Sequence, residues 1–225
     1  GLDESGKNLY CVEIDGRIFI LNCGVKRTNS SSFGIDYLIC DFTYLKENRD
    51  RIAALILNNL HDDMMEAVPY LLKEINVPVY CTSTTAKFLE LLLKENGVVN
   101  YSIRDLPVNG RIRIGNTEIV SFGLNSAVPE NVGIALSTPK GYVVFASQFV
   151  VDFDSTSSLF KTDISTISNL GQQGVLVAML EASYADKIGF TSPKHRISEI
   201  IRPVIEVIFL LNTAVISYSE ISSNW

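Results

Sequence analysis

The chain has 225 residues, 47% hydrophobic and 20% charged, enough for one large domain or two small ones and far from the composition of a disordered chain. Its formal net charge is −6, with 25 acidic and 19 basic residues, so composition offers no basic surface able to grip nucleic acid by charge alone. No apolar run approaches the roughly 18 residues of a membrane span; the longest, about Val204 to Leu211, is too short and contains Glu206.

In chain order, three hairpin signals stand out, because each pairs β-rich runs across residues that tolerate a tight reversal. "NLYCVEIDGRIFILNCG" turns at Asp15-Gly16, "RIRIGNTEIVSFGL" at Gly115-Asn116, and "GIALSTPKGYVVFASQF" through Pro139-Lys140-Gly141. After the first comes "KRTNSSSFG", Lys26 to Gly34, a polar surface loop. Arg51 to Leu57 reads as a strand, followed by a helix from about Met64 with Val68, Leu71, Leu72 and Ile75 at helical spacing. "VPVYCTS" is a short strand. It leads into a helix capped at Thr84 or Thr85, striped by Ala86, Leu89, Leu92 and Leu93, and closed at Gly97. A polar helix at about 162–170, the strand "GVLVAML", a helix from about Pro193 that Pro203 would bend or interrupt, and the strand "TAVISYS" complete the pattern. Hairpins mixed with helix and strand alternation predict an α/β layered domain with mixed or largely antiparallel sheets.

The most informative stretch is "LILNNLHDDMMEAVPYLLKEI", Leu55 to Ile75, where a short strand runs into a polar cluster holding His61, one of two histidines. Strand-end clusters of His and Asp are where metal-dependent hydrolases bind their ions. Asp62 could serve as a substitute ligand beside His61 and Asp63, but the preferred reading is that Asp62 or Asp63 caps the following helix. His195, in "SPKHRIS", reads as a solvated surface residue. Cys11, Cys23, Cys40 and Cys81 show no C-x-x-C pairing and read as buried reduced thiols of a cytosolic protein. No G-x-S-x-G, Walker A or G-x-G-x-x-G pattern signals another chemistry.

Taken together, "GLDESGKN", "GIDYLICDFTYL", "AVPYLLKEINVPVY", "VPENVGIAL" and "GFTSP" resemble ribonuclease J, of the metallo-β-lactamase superfamily with an inserted β-CASP domain. The resemblance implies a metallo-β-lactamase-like four-layer αββα sandwich, incomplete in this chain, with a di-metal centre held by H-x-H-x-D-H, a later His and a bridging Asp. In register with that pattern stand Asn59 and Met64 for two of the His positions, Ser126 for the later His, Gln148 for the bridging Asp and Asn22 for a supporting Asp. Only His61 and Asp63 keep ligand chemistry. Two cations about 3.5–4 Å apart repel strongly without an anion between them, and Gln148 supplies a neutral amide. No cofactor is therefore expected, or zinc or manganese if the remnant at His61 and Asp63 binds an ion.

The resemblance also implies that residues 1–192 are the N-terminal part of the lactamase domain and 193–225 the truncated start of β-CASP, with Glu181, Ala182, Ser183, Tyr184 and Ala185 where the family leaves the first domain. The chain begins at Gly1 without Met and is expected to be a piece of a longer protein. The expectation is a non-catalytic cytoplasmic protein of RNA processing, partnered by an active ribonuclease J homologue or by itself, with RNA contact through the full-length protein and no membrane role. The alternative is a weak metal-dependent ribonuclease using His61, Asp62 and Asp63.

Overall fold

The computed structural model describes residues 4–28, 34–150, 157–182, 185–186, 188–189 and 197–210. In chain order the elements are β1 (Tyr10–Ile14), β2 (Arg17–Leu21), β3 (Lys26–Arg27), β4 (Tyr37–Leu38), α1 (Thr43–Glu47), β5 (Ile52–Ile56), α2 (Asp62–Met65), α3 (Val68–Glu74), β6 (Val79–Cys81), α4 (Ser83–Glu95), β7 (Ile103–Asp105), β8 (Gly110–Ile114), β9 (Thr117–Gly123), β10 (Val132–Thr138), β11 (Gly141–Ala146), α5 (Ile164–Gln173), β12 (Val175–Leu180) and α6 (Ile197–Leu210). The chain divides into two compact units, Gly1–Asp186 and Lys187–Trp225. Among described residues the second contains α6, which runs through Pro203 without interruption. His195 and the expected strand at 213–219 lie outside the described residues.

The first unit holds two five-stranded sheets, ordered β1-β2-β5-β6-β7 and β12-β11-β10-β9-β8. Both are mixed: β1 pairs antiparallel with β2 while β2, β5, β6 and β7 run parallel, and β11 pairs parallel with β12 in an otherwise antiparallel sheet. Each expected hairpin forms. Asp15 and Gly16 both hold positive φ, 48° and 75°, which suits a tight turn matched to the strand twist.

Alternation along the strands builds the layers. In β2, Ile18 and Ile20 face α3 and α4, joining Leu71, Leu72, Leu89 and Leu93 in one core, while Phe19 and Leu21 face Ile119, Ile134, Leu136 and Phe145 of the other sheet. Val120, Phe122 and Ala135 on the second sheet's far side pack against Leu170 of α5. The result is helix, sheet, sheet, helix: the expected four-layer αββα sandwich.

Several local expectations change. The helix expected from Met64 is two helices, α2 and α3, because Pro69 near the start of α3 has no N–H to continue the first. Thr82, not Thr84 or Thr85, precedes α4, and its free amides are met from another loop, by the Glu130 carboxylate, which accepts from Thr84 N–H at 2.8 Å and from the Ser83 hydroxyl at 3.2 Å. The far end of α4 closes as expected: Gly97 at φ 68° donates to Lys94 O, and Val98 to Leu93 O. Part of the expected loop at Lys26 to Gly34 is strand, with β3 paired to β4. Only Cys23 and Cys81 are buried; Cys40 is half-buried and Cys11 exposed, since β1 is an edge strand that leaves one face open. Among the described residues no helix is long and apolar enough to cross a membrane.

Candidate functional site

One end of the sandwich collects the carboxyl ends of β2, β5 and β11 and the start of β10, and each contributes a polar residue just outside its strand. Asn22 follows β2, Asn58 and Asn59 follow β5, Asn131 precedes β10, and Ser147 and Gln148 follow β11. All but Gln148 are buried. Asn22 and Gln148 hold positive φ, 62° and 50°, a conformation uncommon for residues other than glycine and more readily adopted by Asn.

These side chains bond one another, with Gln148 Oε1 left without a partner among the described residues. Asn22 Nδ2 donates to Asn58 Oδ1 at 2.8 Å and to Met64 Sδ at 3.0 Å, and Asn22 Oδ1 accepts from Asn58 N–H. Asn58 Nδ2 donates to Ser147 Oγ at 3.0 Å and Asn131 Oδ1 at 3.3 Å, and Asn59 Nδ2 reaches the same Asn131 oxygen at 3.2 Å. Asn131 Nδ2 donates to Gln148 O, and Gln148 Nε2 lies 3.3 Å from both oxygens of Asp63, which also accepts from Asn8 Nδ2 at 3.0 Å.

Four of the residues singled out in the sequence, Asn22, Asn59, Met64 and Gln148, therefore meet in one network that ends on Asp63. Ser126 is buried but bonds locally, its hydroxyl donating to Val128 O and accepting from Val128 N–H. His61 sits just before α2, with its backbone N–H held by Asn59 Oδ1. The capping role expected of Asp62 or Asp63 is not observed: both lie inside the first turn of α2, and no side chain caps it. Asp62 instead accepts from its neighbour Asp63 N–H and pairs with Arg27 Nε at 2.7 Å, while Arg27 also grips Glu66. Asn8, Asn58, Asn131 and Ser147 were not anticipated. The doubled Asn of "LNNLH" was the available signal, and partners on the second sheet, 72 or more residues away, hid its use.

Burial pushes the Asp63 carboxyl above its ordinary value of 3.8, opposed by His61, reinforced by Asp62, and opposed again by the Gln148 hydrogen bond. The loop after β2 packs tightly beneath it. Cys23 N–H donates to Met64 O at 2.7 Å and Val25 N–H to Asp62 O at 3.1 Å, and a Cβ on Gly24 would stand 1.7 Å from Asp63 O.

The donor set does not fit a di-metal centre. Hard or borderline divalent ions want several imidazole or carboxylate ligands, and among the described residues no three His, Cys, Asp or Glu side chains form such a set. The buried side-chain acceptors without a partner among the described residues are Asn125 Oδ1 and Gln148 Oε1, both neutral.

No protein-family model matches the chain. It is 34% identical over 200 residues to ribonuclease J2 of Bacillus subtilis, covering 88% of this chain and 36% of that protein. It is also 30% identical over 207 residues to ribonuclease J 1 of Streptococcus pyogenes, covering 92% of this chain and 37% of that one. The chain is similar to ribonuclease J over about nine-tenths of its own length. It spans a little over a third of the length of these ribonuclease J relatives. A solved B3 metallo-β-lactamase described as having an active-site glutamic acid shares the fold, with a TM-score of 0.50 at 13% identity over 85% of this chain and 78% of that one.

Proposed function

We propose that this ribonuclease J-like chain belongs to a cytoplasmic protein that serves RNA processing or decay without cleaving RNA itself, as a partner subunit of an active homologue or as a component that positions RNA. The observation that carries the reading is the network of neutral side chains at the strand ends. Asn22, Asn59, Met64 and Gln148 stand where the family's metal motif falls and are bonded to one another and to their neighbours. A hydroxide-generating metal site needs open positions on a cation held by charged or imidazole ligands, and the side chains that remain for that task are His61 and Asp63. Asp62, the third ligand of a remnant site, is engaged by Arg27 at the surface. The edge strand β12 leaves Val175, Leu176, Val177 and Leu180 exposed, a surface suited to further chain or to a partner.

A decay assay on 5′-monophosphorylated RNA with the full-length protein at high concentration tests the reading. The expected outcome is no cleavage beyond that of an Asp63→Ala variant. Cleavage abolished both by chelator and by Asp63→Ala would establish a remnant zinc or manganese enzyme instead.

A further inference from the structure

The polar cluster is also where the two sheets are joined. Asn22, Asn58 and Asn59 extend strands of the first sheet, and Asn131 and Ser147 flank strands of the second. Across the gap Asn58 Nδ2 bonds Ser147 Oγ and Asn131 Oδ1, Asn59 Nδ2 bonds Asn131 Oδ1, and Val132 N–H donates to Asn58 O at 3.1 Å. Asn58 is the hub, at 0% exposure. In a site built on metal ions, ions held by ligands from both sheets would supply this connection.

We infer that the carboxamide cluster is a structural joint between the sheets that replaces the metal centre and excludes divalent cations from its place. A carboxamide carries both donors and an acceptor, so a group of them can satisfy itself without counter-charge. Imidazoles and carboxylates buried in the same space would need an ion or protons to hold them together. Orientation points the same way. The amide hydrogens of Asn22 and Asn58 are turned toward Met64 Sδ and Ser147 Oγ, so an entering cation would meet partial positive charge. To recruit Asn22 Oδ1, Asn58 Oδ1 or Asn131 Oδ1 it would have to break the bond each already accepts, which leaves the neutral Gln148 Oε1 as the cluster's buried acceptor without a partner among the described residues. The inference takes the location of the site from the family reading and does not depend on whether the protein cleaves RNA.

Thermal unfolding of the full-length protein, in chelator and with excess Zn²⁺ or Mn²⁺, tests the joint, with bound metal counted after dialysis. Expected are a midpoint unchanged within about 1 °C, since an ion that does not bind the native state cannot stabilise it, and no stoichiometric metal. Asn58→Ala removes the hub and strands its partners, and is expected to lower the midpoint by roughly 5 °C or more, unrescued by zinc. If that variant does not fold, the native protein's metal response decides alone. A stoichiometric ion that raises the midpoint by several degrees and is lost in Asp63→Ala overturns the inference. Such an ion without RNA cleavage would overturn the joint and leave the non-catalytic reading standing. Cleavage lost in Asp63→Ala yet unaffected by chelator, with no ion bound, would do the reverse.

Discussion

At the scale of single residues, the site depends on close backbone approach as much as on side-chain chemistry. Gly24 lies against the start of α2, where an added Cβ would fall 1.7 Å from Asp63 O and 2.5 Å from Met64 N. Gly24→Ala must therefore displace α2 or the loop after β2, and with it the pairing of Cys23 and Val25 to α2. Destabilisation by about 3 kcal/mol is expected in urea unfolding; a change within ~0.5 kcal/mol would mean the loop yields freely. The sequence marks Gly24 only as the residue after Cys23. Its role follows from a contact 39 positions away, which no local pattern encodes. By contrast, Asn22, Asn59, Met64 and Gln148 can be singled out as candidate positions from motif register alone, because each stands at a fixed offset from recognisable framework, while their meeting in one network is set by the fold.

At the scale of elements, two of the helices flanking the sheets, α4 and α5, are held by carboxylates at their starts. Asp163 caps α5, accepting from Thr166 N–H at 3.0 Å, and Glu130, itself at φ 54°, reaches from the loop before β10 to the start of α4. Burial works against the charge of each, and the hydrogen bonds outweigh it, holding both carboxyls below their ordinary values. A carboxylate depressed in the folded state contributes stability that is complete above its unfolded value, 4.5 for Glu130, and is lost as pH falls through the lower folded value. Asp63 has the opposite sign: raised in the fold, its contribution is present in acid and lost as pH rises through the folded value. Glu130→Gln is expected to cost about 1 kcal/mol at pH 7 and to flatten the loss of stability below about pH 4.5, read by urea unfolding across pH. An unchanged acid limb would show that this contact contributes nothing. A Thr beside the helix start was the visible capping signal, whereas the working cap is 46 residues away from Thr84.

For the whole molecule, the proposed RNA contact is not signalled by the net charge of this chain, −6, and would need a localised basic surface, further chain or an associated subunit. Tagged full-length protein is expected to co-purify with an active ribonuclease J homologue at about equal stoichiometry, and the nuclease activity of that complex should be chelator-sensitive and indifferent to Asp63→Ala. Recovery of the protein as a self-associated species alone would favour the self-association reading. RNA binding by the complex should weaken steeply with salt, because phosphate contacts release counterions.

The sequence by itself determined the layering and the resemblance to ribonuclease J. Alternation in β2, helical spacing in α4 and three short turn signals each act over a few neighbouring residues, so they can be read without knowing the fold. Only the tertiary structure decided what became of the polar positions. Whether Asn58 is an exposed loop amide or the hub of a buried joint depends on Asn131 and Ser147, brought beside it from 73 and 89 positions away. A carboxamide has no charge to announce its partner, and the geometry that gives Asn58 its partners exists only once both sheets have packed.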